Sequence, residues 1–552
     1  MNGLNTFSGV FVPSFEAILG AVLFLILPLL VAALGFQEML IVVLLANSAT
    51  LATAFSIADC ATNLNRIGAG GMYAISKRSL GKAFGGSIGI QLFLAQAISI
   101  GFYAIGFAEP LQPLLARIPA VAEFVESAEI GVLMQKQILA SVIASVALAV
   151  ALVGGDLVSR VQMLIFVALV LAVAAVFVAP LLGPTLDGAP VFSTQFNRDG
   201  GPIRLGFWVA FATFFPAVTG IDAGVGMSGS LANPRKSLGR GTFLAIGVTT
   251  AVYVGVTFVF GWLDPARVEG PAGATRNTLE LFLQTPFIPW VLLAGILLAT
   301  GSSALSYLVT APRTAQALAR DNLLPRFLGF LGRGIRGSSE PFWATLLTFA
   351  ITIGVVWSGD IAFISLVVGI AFLVVYGWVN LAAFFERVSG NPSFRPTSRG
   401  HWLISLYGFL ICMAVIALFN PWVGLGVLAS QMTIFFLLFR YRSGNRLEGV
   451  WWGLVFKVLQ WAVQRSGRIV QGTKNWRPVV GVFSFCDDEH GTAATSELAH
   501  RISDFKGLTL THILRPADGA DVSAGIPEGA ALVNSPSGSH ERTILSLAQS
   551  PL

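Results

Sequence analysis

Twelve apolar stretches, each about 20 residues or longer, constrain the fold of this chain more than any other feature, because such a stretch crosses the ~30 Å hydrocarbon core of a bilayer as a helix. They lie at about residues 11–35, 38–63, 84–115, 133–154, 158–181, 204–231, 239–263, 285–312, 340–357, 361–385, 402–419 and 423–440. Only 11% of the 552 residues are charged, against about 25% in a typical soluble protein. The sequence therefore predicts an all-α membrane protein with twelve transmembrane helices in a domain over residues 1–440.

Basic residues orient these spans, because cytoplasmic loops carry an excess of Lys and Arg. Such residues follow spans 2, 6 and 8, among them Arg66, Lys77, Arg235, Arg320 and Arg326. We therefore expect both termini in the cytoplasm and the protein in the plasma (inner) membrane.

Two of the spans are interrupted by residues that oppose a continuous helix. The first span contains "FVPSFEAILG" (11–20) and the sixth contains "FFPAVTGIDAG" (214–224). Pro lacks the N–H that continues the helical ladder, and Gly lowers the resistance to bending. Non-helical backbone is tolerated at membrane depth only where it is buried in protein or lines a wet cavity. Breaks in helices 1 and 6 fit an inverted repeat of five plus five spans whose unwound midpoints form a transport site.

The composition changes after residue 440. Residues 441–473 contain "LEGVWWGLVFKVLQWAVQRSGRIV", an amphipathic connector helix that could lie on the membrane or pair with a partner. Residues 474–552 hold the β-type runs "WRPVVGVFSF" and "LTLTHIL" around the helical "TSELAHRISDF". These patterns predict a short cytoplasmic α/β domain with a flexible tail.

Several strings resemble the cation-chloride cotransporter family, within the amino acid, polyamine and organocation superfamily. They are "GVFVPSFEAILGAVLF", "GAGGMYAISKRSLGKAFGGSIG", "FYAIGFAEP", "FFPAVTGIDAGVGMSGSLANP", "SSALSYLVTAPRTAQALARDNLLP" and "KNWRP". The resemblance is colinear over nearly the whole chain. It implies a secondary transporter of the leucine-transporter fold that couples Na⁺, K⁺ and Cl⁻ movement.

The same resemblance implies positions for three kinds of ion. The sodium position would use hydroxyls of Ser302 and Ser303 and carbonyls of Glu16, Leu19 and Ala299. The potassium position would use Tyr103, Pro216 and Thr219 with the carbonyls of Ala17 and Ile18. The anion positions would use backbone N–H groups of Gly20, Ala21, Val22, Gly220, Ile221 and Asp222, the last three near Tyr376.

The chain departs from the family at three of these positions. Transporting members commonly have Asn where this chain has Ala17, and apolar residues where it has Glu16 and Asp222. Ionisable groups at membrane depth are costly and are functional hypotheses by default. Either carboxylate could neutralise a transported cation or take up a proton, since burial favours the neutral acid, and Asp222 would repel chloride. Asp59 is interpreted as a solvated or capping residue.

Three functions remain open: a Na⁺- or H⁺-coupled inorganic-ion symporter that moves Na⁺ or K⁺ with or without Cl⁻; a permease for an amino acid, polyamine or other organic cation on the same fold; and a membrane sensor. Motifs for phosphate binding, zinc proteases and nucleophile elbows are absent from the sequence. We therefore expect no enzyme activity, no cofactor, no metal besides transported alkali cations and no nucleic-acid partner. A homodimer is possible through the C-terminal region.

Overall fold

The structure is a computed structural model that divides the chain into two compact units, Met1–Val455 and Phe456–Leu552. It describes residues 4–20, 22–62, 70–128, 130–153, 155–182, 206–262, 288–334, 340–359, 361–389, 394, 396, 400–441, 455, 457–459, 461–462, 479–485, 508–516 and 531–535. The domain boundaries at residues 440 and 473 stay a prediction. Of the predicted connector, the described residues from 455 to 462 are helical and exposed.

Helices make up the described part of the first unit. In chain order they are α1 Val12–Ile18, α2 Leu27–Leu34, α3 Phe36–Thr62, α4 Met72–Leu115, α5 Pro119–Ser127, α6 Val132–Val153, α7 Gly155–Leu182, α8 Phe207–Phe214, α9 Ile221–Gly226, α10 Pro234–Trp262, α11 Ile288–Arg320, α12 Phe342–Ser358, α13 Ile361–Ser389, α14 Trp402–Phe419 and α15 Pro421–Tyr441.

Ten helical segments of the described residues are long and apolar enough to cross a membrane. Two shorter apolar helices, Phe342–Ser358 and Trp402–Leu418, lie at the ninth and eleventh predicted spans. The chain is therefore an integral, multi-pass membrane protein. The count of twelve spans and the five-plus-five repeat stay predictions.

The first span is interrupted near its middle. Pro13 lies in the first turn of α1, which directly follows a π-helical turn, Phe7–Phe11, and the helix continues through Glu16 to Ile18. Leu19 then leaves the helical region at φ −82°, ψ 41°. A short π-helical turn, Val22–Ile26, leads into α2. The break thus lies at the glycine end of the "FVPSFEAILG" stretch and not at its proline.

The sixth span is interrupted at the corresponding place. After α8 the chain forms a 3₁₀ turn, Phe215–Val218, in which Pro216 is the second residue. Helix α9 begins only at Ile221. The two breaks lie against each other, because a Cβ on Gly220 would be 2.5 Å from both the Ala17 carbonyl carbon and the Ile18 nitrogen. Only a residue without a side chain permits this approach.

A polar chain links the second break to an ion pair at the end of α3. Tyr376 on α13 donates to the Thr219 carbonyl, and Asn380, one turn further, donates to the Tyr376 carbonyl at 2.9 Å and to Thr53 Oγ1 at 2.8 Å. These hydrogen bonds continue from Asn380 through Ser56 and Ser405 to Arg387. Arg387 forms an ion pair with Asp59. Asp59 is fully buried, so its interpretation as a solvated or capping residue is wrong.

The second unit contains three strands, β1 Val479–Phe485, β2 Leu508–Pro516 and β3 Ala531–Ser535. They form one parallel sheet in the order β1-β2-β3, with Val479 opposite Leu508 and His512 opposite Ala531. Parallel strands need a crossover connection, and the predicted helical stretch "TSELAHRISDF" falls between β1 and β2, outside the described residues. β3 had no counterpart in the sequence prediction.

Replacing Arg387 by Met should destabilise the protein by about 3–5 kcal/mol, because it removes the partner of a buried carboxylate. The double variant Asp59→Asn/Arg387→Met should recover most of that loss, since neither charge of the pair remains. Thermal unfolding of both proteins in detergent checks this. An Arg387→Met protein as stable as the wild type would contradict the buried ion pair.

Replacing Gly220 by Ala should destabilise the protein by about 1–3 kcal/mol, because the new methyl group meets backbone and not a movable side chain. Gly247→Ala in α10 is the matched control, since nothing lies within 4 Å of its added Cβ. The midpoints of thermal unfolding should differ in that order. Equal midpoints for the two variants would show that the breaks are not in this close contact.

Candidate functional site

The end of α1 leaves backbone carbonyls without helical partners, and hydroxyl groups from other helices fill them. On α11, the Ser303 hydroxyl shares its single hydrogen between the Ala299 carbonyl at 2.9 Å and the Glu16 carbonyl at 3.2 Å. Tyr253 on α10 donates to the Ile18 carbonyl at 2.6 Å. A carbonyl without a hydrogen bond in a low-dielectric interior costs several kcal/mol. These hydroxyls remove that penalty and so stabilise the break.

The second break follows the same pattern. Thr50 on α3 donates to the Val218 carbonyl at 3.0 Å, and Thr219 donates to the Pro216 carbonyl at 2.8 Å. The Thr219 carbonyl accepts from Tyr376. Each donor comes from a different place in the chain, and together they hold the unwound segment in one conformation.

Four of the five residues expected at the sodium position lie together. The Ser302 hydroxyl donates to Glu16 Oε2 at 2.5 Å, while Ser303 bridges the carbonyls of Glu16 and Ala299. Leu19, the fifth, is buried at the break itself. The cluster therefore combines a carboxylate, two hydroxyls and two carbonyls beside the interrupted helix.

Glu16 is the unusual member of this cluster. Its residue is fully buried, and its Oε1 atom has no hydrogen-bond partner in the described part of the chain. The ion pairs found among the described residues join other groups: Lys77 with Asp321, Lys136 with Glu109, and Arg387 with Asp59. A buried carboxylate with one free oxygen and no basic partner can bind a cation or a proton.

The residues expected at the potassium position lie at both breaks, but two of their oxygens are already engaged. The Ile18 carbonyl accepts from Tyr253, and the Pro216 carbonyl accepts from Thr219. Tyr103 is buried, and its ring is near Gly20: a Cβ there would lie 3.3 Å from Tyr103 and 3.3 Å from Ser303 Oγ. Gly20 therefore lies between Tyr103 and the Glu16 cluster, and the absence of a side chain at Gly20 lets the two come close together.

The residues expected at the anion positions lie in two groups, one at each break. Gly220, Ile221 and Asp222 begin α9, whereas Gly20 and Val22 flank the first break and Ala21 lies outside the described residues. Tyr376 contacts the Thr219 carbonyl. The Asp222 carboxylate is instead held by two neutral donors, Gln96 at 2.8 Å and Tyr307 at 2.9 Å.

Sequence reasoning missed four polar side chains that complete this region: Thr50, Gln96, Tyr253 and Tyr307. All four are buried within apolar spans. Polar residues at membrane depth are themselves a signal, but it does not say which backbone group each one meets. The stacked pair Tyr103 and Tyr307, with ring centroids 5.9 Å apart and planes within 9°, connects the Gly20 side to Asp222.

The most similar curated proteins include several members of one transporter family. Solute carrier family 12 member 2 of Mus musculus is 29% identical over 517 residues, covering 85% of this chain and 42% of that protein. Member 1 of Mus musculus is 30% identical over 475 residues, 78% of this chain and 42% of that protein. Member 3 of Mus musculus is 30% identical over 477 residues, 78% and 46% respectively. The chain spans less than half the length of these relatives.

These relatives confirm the resemblance to the cation-chloride cotransporter family that the motifs indicate. The match to the amino acid permease family covers residues 9–455, which is most of the chain and includes both interrupted spans. Permeases and solute carriers are transport proteins and not enzymes. The chain belongs to the amino acid permease family.

Proposed function

We propose that this chain is a secondary transporter that moves an alkali metal cation by alternating access and binds Na⁺ at the Glu16 cluster. The observation that carries the proposal is the Glu16 carboxylate itself, fully buried and bonded on one oxygen to Ser302, with the other oxygen unpartnered in the described structure. It stands beside a helix break, where unwound carbonyls coordinate coupling ions in transporters of this kind.

The chemistry of the cluster suits a hard cation. Carboxylate, carbonyl and hydroxyl oxygens converge from α1 and α11, and the contributed negative charge offsets that of the ion. Two breaks in contact near the middle of their spans support the five-plus-five repeat as part of this proposal. A proton is the alternative occupant, because a buried carboxyl group also favours its neutral form.

Chloride is not part of the proposed cycle. Asp222 carries a carboxylate at the second break, with Gln96 and Tyr307 as its donors. In a partly desolvated site, repulsion between the two negative charges would weaken the binding of an anion by on the order of several kcal/mol. The fixed carboxylate thus supplies the negative charge that a bound chloride would otherwise bring.

A permease for an organic amine is the second candidate. The same Asp222 carboxylate favours it, because the described residues provide neutral donors and no basic partner for this buried acid. A substrate ammonium group could fill that role. The family match to amino acid permeases agrees with this candidate. Cytoplasmic termini, a plasma-membrane location and a homodimer complete the proposal for either substrate.

Replacing both Ser302 and Ser303 by Ala should abolish Na⁺-stimulated uptake into vesicles and Na⁺-induced thermal stabilisation, because two oxygen ligands are lost while little cavity is created. Ser306→Ala is the matched control: it lies one turn further on α11, where its hydroxyl meets Gln162. Glu16→Gln should change cation selectivity or pH dependence more than abundance. Persistence of the Na⁺ response in the double variant, or a Na⁺-independent wild type, would show that the proposed site is wrong.

Wild-type cation uptake should proceed when chloride is replaced by gluconate at constant ionic strength. Asp222→Asn keeps the shape of the side chain and removes its charge, so uptake should become chloride-responsive or be lost. Glu109→Gln, which alters an acid paired with Lys136 away from the breaks, should leave the chloride response unchanged. Saturable chloride dependence of the wild type would contradict the proposal. Competition of uptake by amines and amino acids, abolished in Asp222→Asn, would favour the second candidate.

A further inference from the structure

Tyr253 lies where the two interrupted helices meet, and the ion positions implied by the family resemblance do not include it. Its side chain is fully buried on α10. Its hydroxyl donates to the Ile18 carbonyl at 2.6 Å and lies 3.4 Å from the Ala217 carbonyl. One group therefore contacts the last residue of α1 and the 3₁₀ turn of the second break.

The hydroxyl carries a single hydrogen, and the shorter distance assigns that hydrogen to Ile18. The ring is held in place by Phe214, with centroids 5.1 Å apart and planes at 84°. Because the side chain is enclosed, the hydroxyl cannot turn to solvent if the Ile18 carbonyl is taken by another partner. It would then be a buried donor that lacks a full-strength acceptor, which is unfavourable.

This arrangement affects the two cation positions unequally. The Glu16 cluster keeps a carboxylate oxygen without a partner in the described residues. On the other side of Gly20, the Ile18 and Pro216 carbonyls are both engaged by hydroxyl donors. Recognition of K⁺ depends on the number and the field strength of the oxygens that replace its hydration shell. Tyr253 already uses one of the two lone pairs of the Ile18 oxygen, so this oxygen would offer a potassium ion near Tyr103 a weaker field.

We propose that Tyr253 is a specificity-determining residue. By keeping the Ile18 carbonyl hydrogen-bonded, it disfavours K⁺ at the position beside Tyr103, so that the transporter binds Na⁺ and rejects K⁺. This inference rests on the proposed function and names its cation. It assigns the selectivity to a hydrogen bond between α10 and the end of α1, outside the oxygen cluster that holds Na⁺.

Removing the Tyr253 hydroxyl frees the Ile18 carbonyl and leaves the aromatic ring in place. Tyr253→Phe should therefore gain a saturable response to K⁺, with an apparent affinity at least about tenfold above the wild-type limit, which corresponds to about 1.4 kcal/mol. Its Na⁺ affinity should stay unchanged. Tyr73→Phe is the matched control, since it removes the hydroxyl of another buried tyrosine, one that bonds to Asp321 away from both breaks.

The experiment is thermal unfolding of the purified full chain in detergent, titrated with NaCl or KCl and balanced with choline chloride. Wild type and Tyr73→Phe should be stabilised by Na⁺ alone, and Tyr253→Phe by both ions. Saturable stabilisation of the wild type by K⁺ overturns the inference, and this measurement decides even if Tyr253→Phe does not fold.

A folded Tyr253→Phe protein that binds Na⁺ and still rejects K⁺ also overturns the inference, and it leaves the proposed function intact. A folded Tyr253→Phe protein that loses Na⁺ binding overturns it as well, because the hydroxyl would then serve the Na⁺ cluster. A wild type that responds to neither ion overturns the proposed function and the inference together.

Discussion

The hydrogen bonds between side-chain hydroxyls and the carbonyls of the two broken helices are the interactions on which the rest of this structure depends. In a membrane, water does not reach a freed carbonyl in the hydrocarbon, so the protein must supply its donors. Ser303, Tyr253, Thr50 and Tyr376 do so from four different helices. This requirement explains why α3, α10, α11 and α13 surround the breaks, and why both breaks can exist without unfolding the spans that contain them.

Three buried carboxylates show how the local environment decides the role of a charge. Asp59 has Arg387 as its partner and connects the ends of α3 and α13. Asp222 has two neutral donors, which stabilise a negative charge without cancelling it. Glu16 has one donor and one oxygen with no partner among the described residues. A paired acid is a structural element, whereas an acid without a countercharge at a helix break is suited to bind a mobile cation or a proton.

The family relationship and the geometry answer different questions. Membership in the amino acid permease family, and similarity to members of solute carrier family 12, identify the chain as a membrane transporter. They leave the cargo open, because a fold hosts many substrates and specificity belongs to individual side chains. In the proposed function those side chains are Glu16 at the first break, Asp222 at the second and Tyr253 between them. Each is proposed to affect a different property: cation binding, the need for an anion, and the choice of cation.

The sequence by itself determined the class of protein, the position of the spans and the two interruptions, since these depend on local hydropathy and on the backbone chemistry of Pro and Gly. It also indicated Glu16, Ser302 and Ser303 as neighbours through the family resemblance. Only the tertiary structure decided which oxygen each buried hydroxyl meets: Tyr253 lies 235 residues from Ile18 along the chain, and Gln96 lies 126 residues from Asp222. It likewise showed that Asp59, interpreted from the sequence as a solvated or capping residue, is half of a buried ion pair. Such pairings follow from how helices pack side by side, and helical periodicity within one span carries no information about the partner on another.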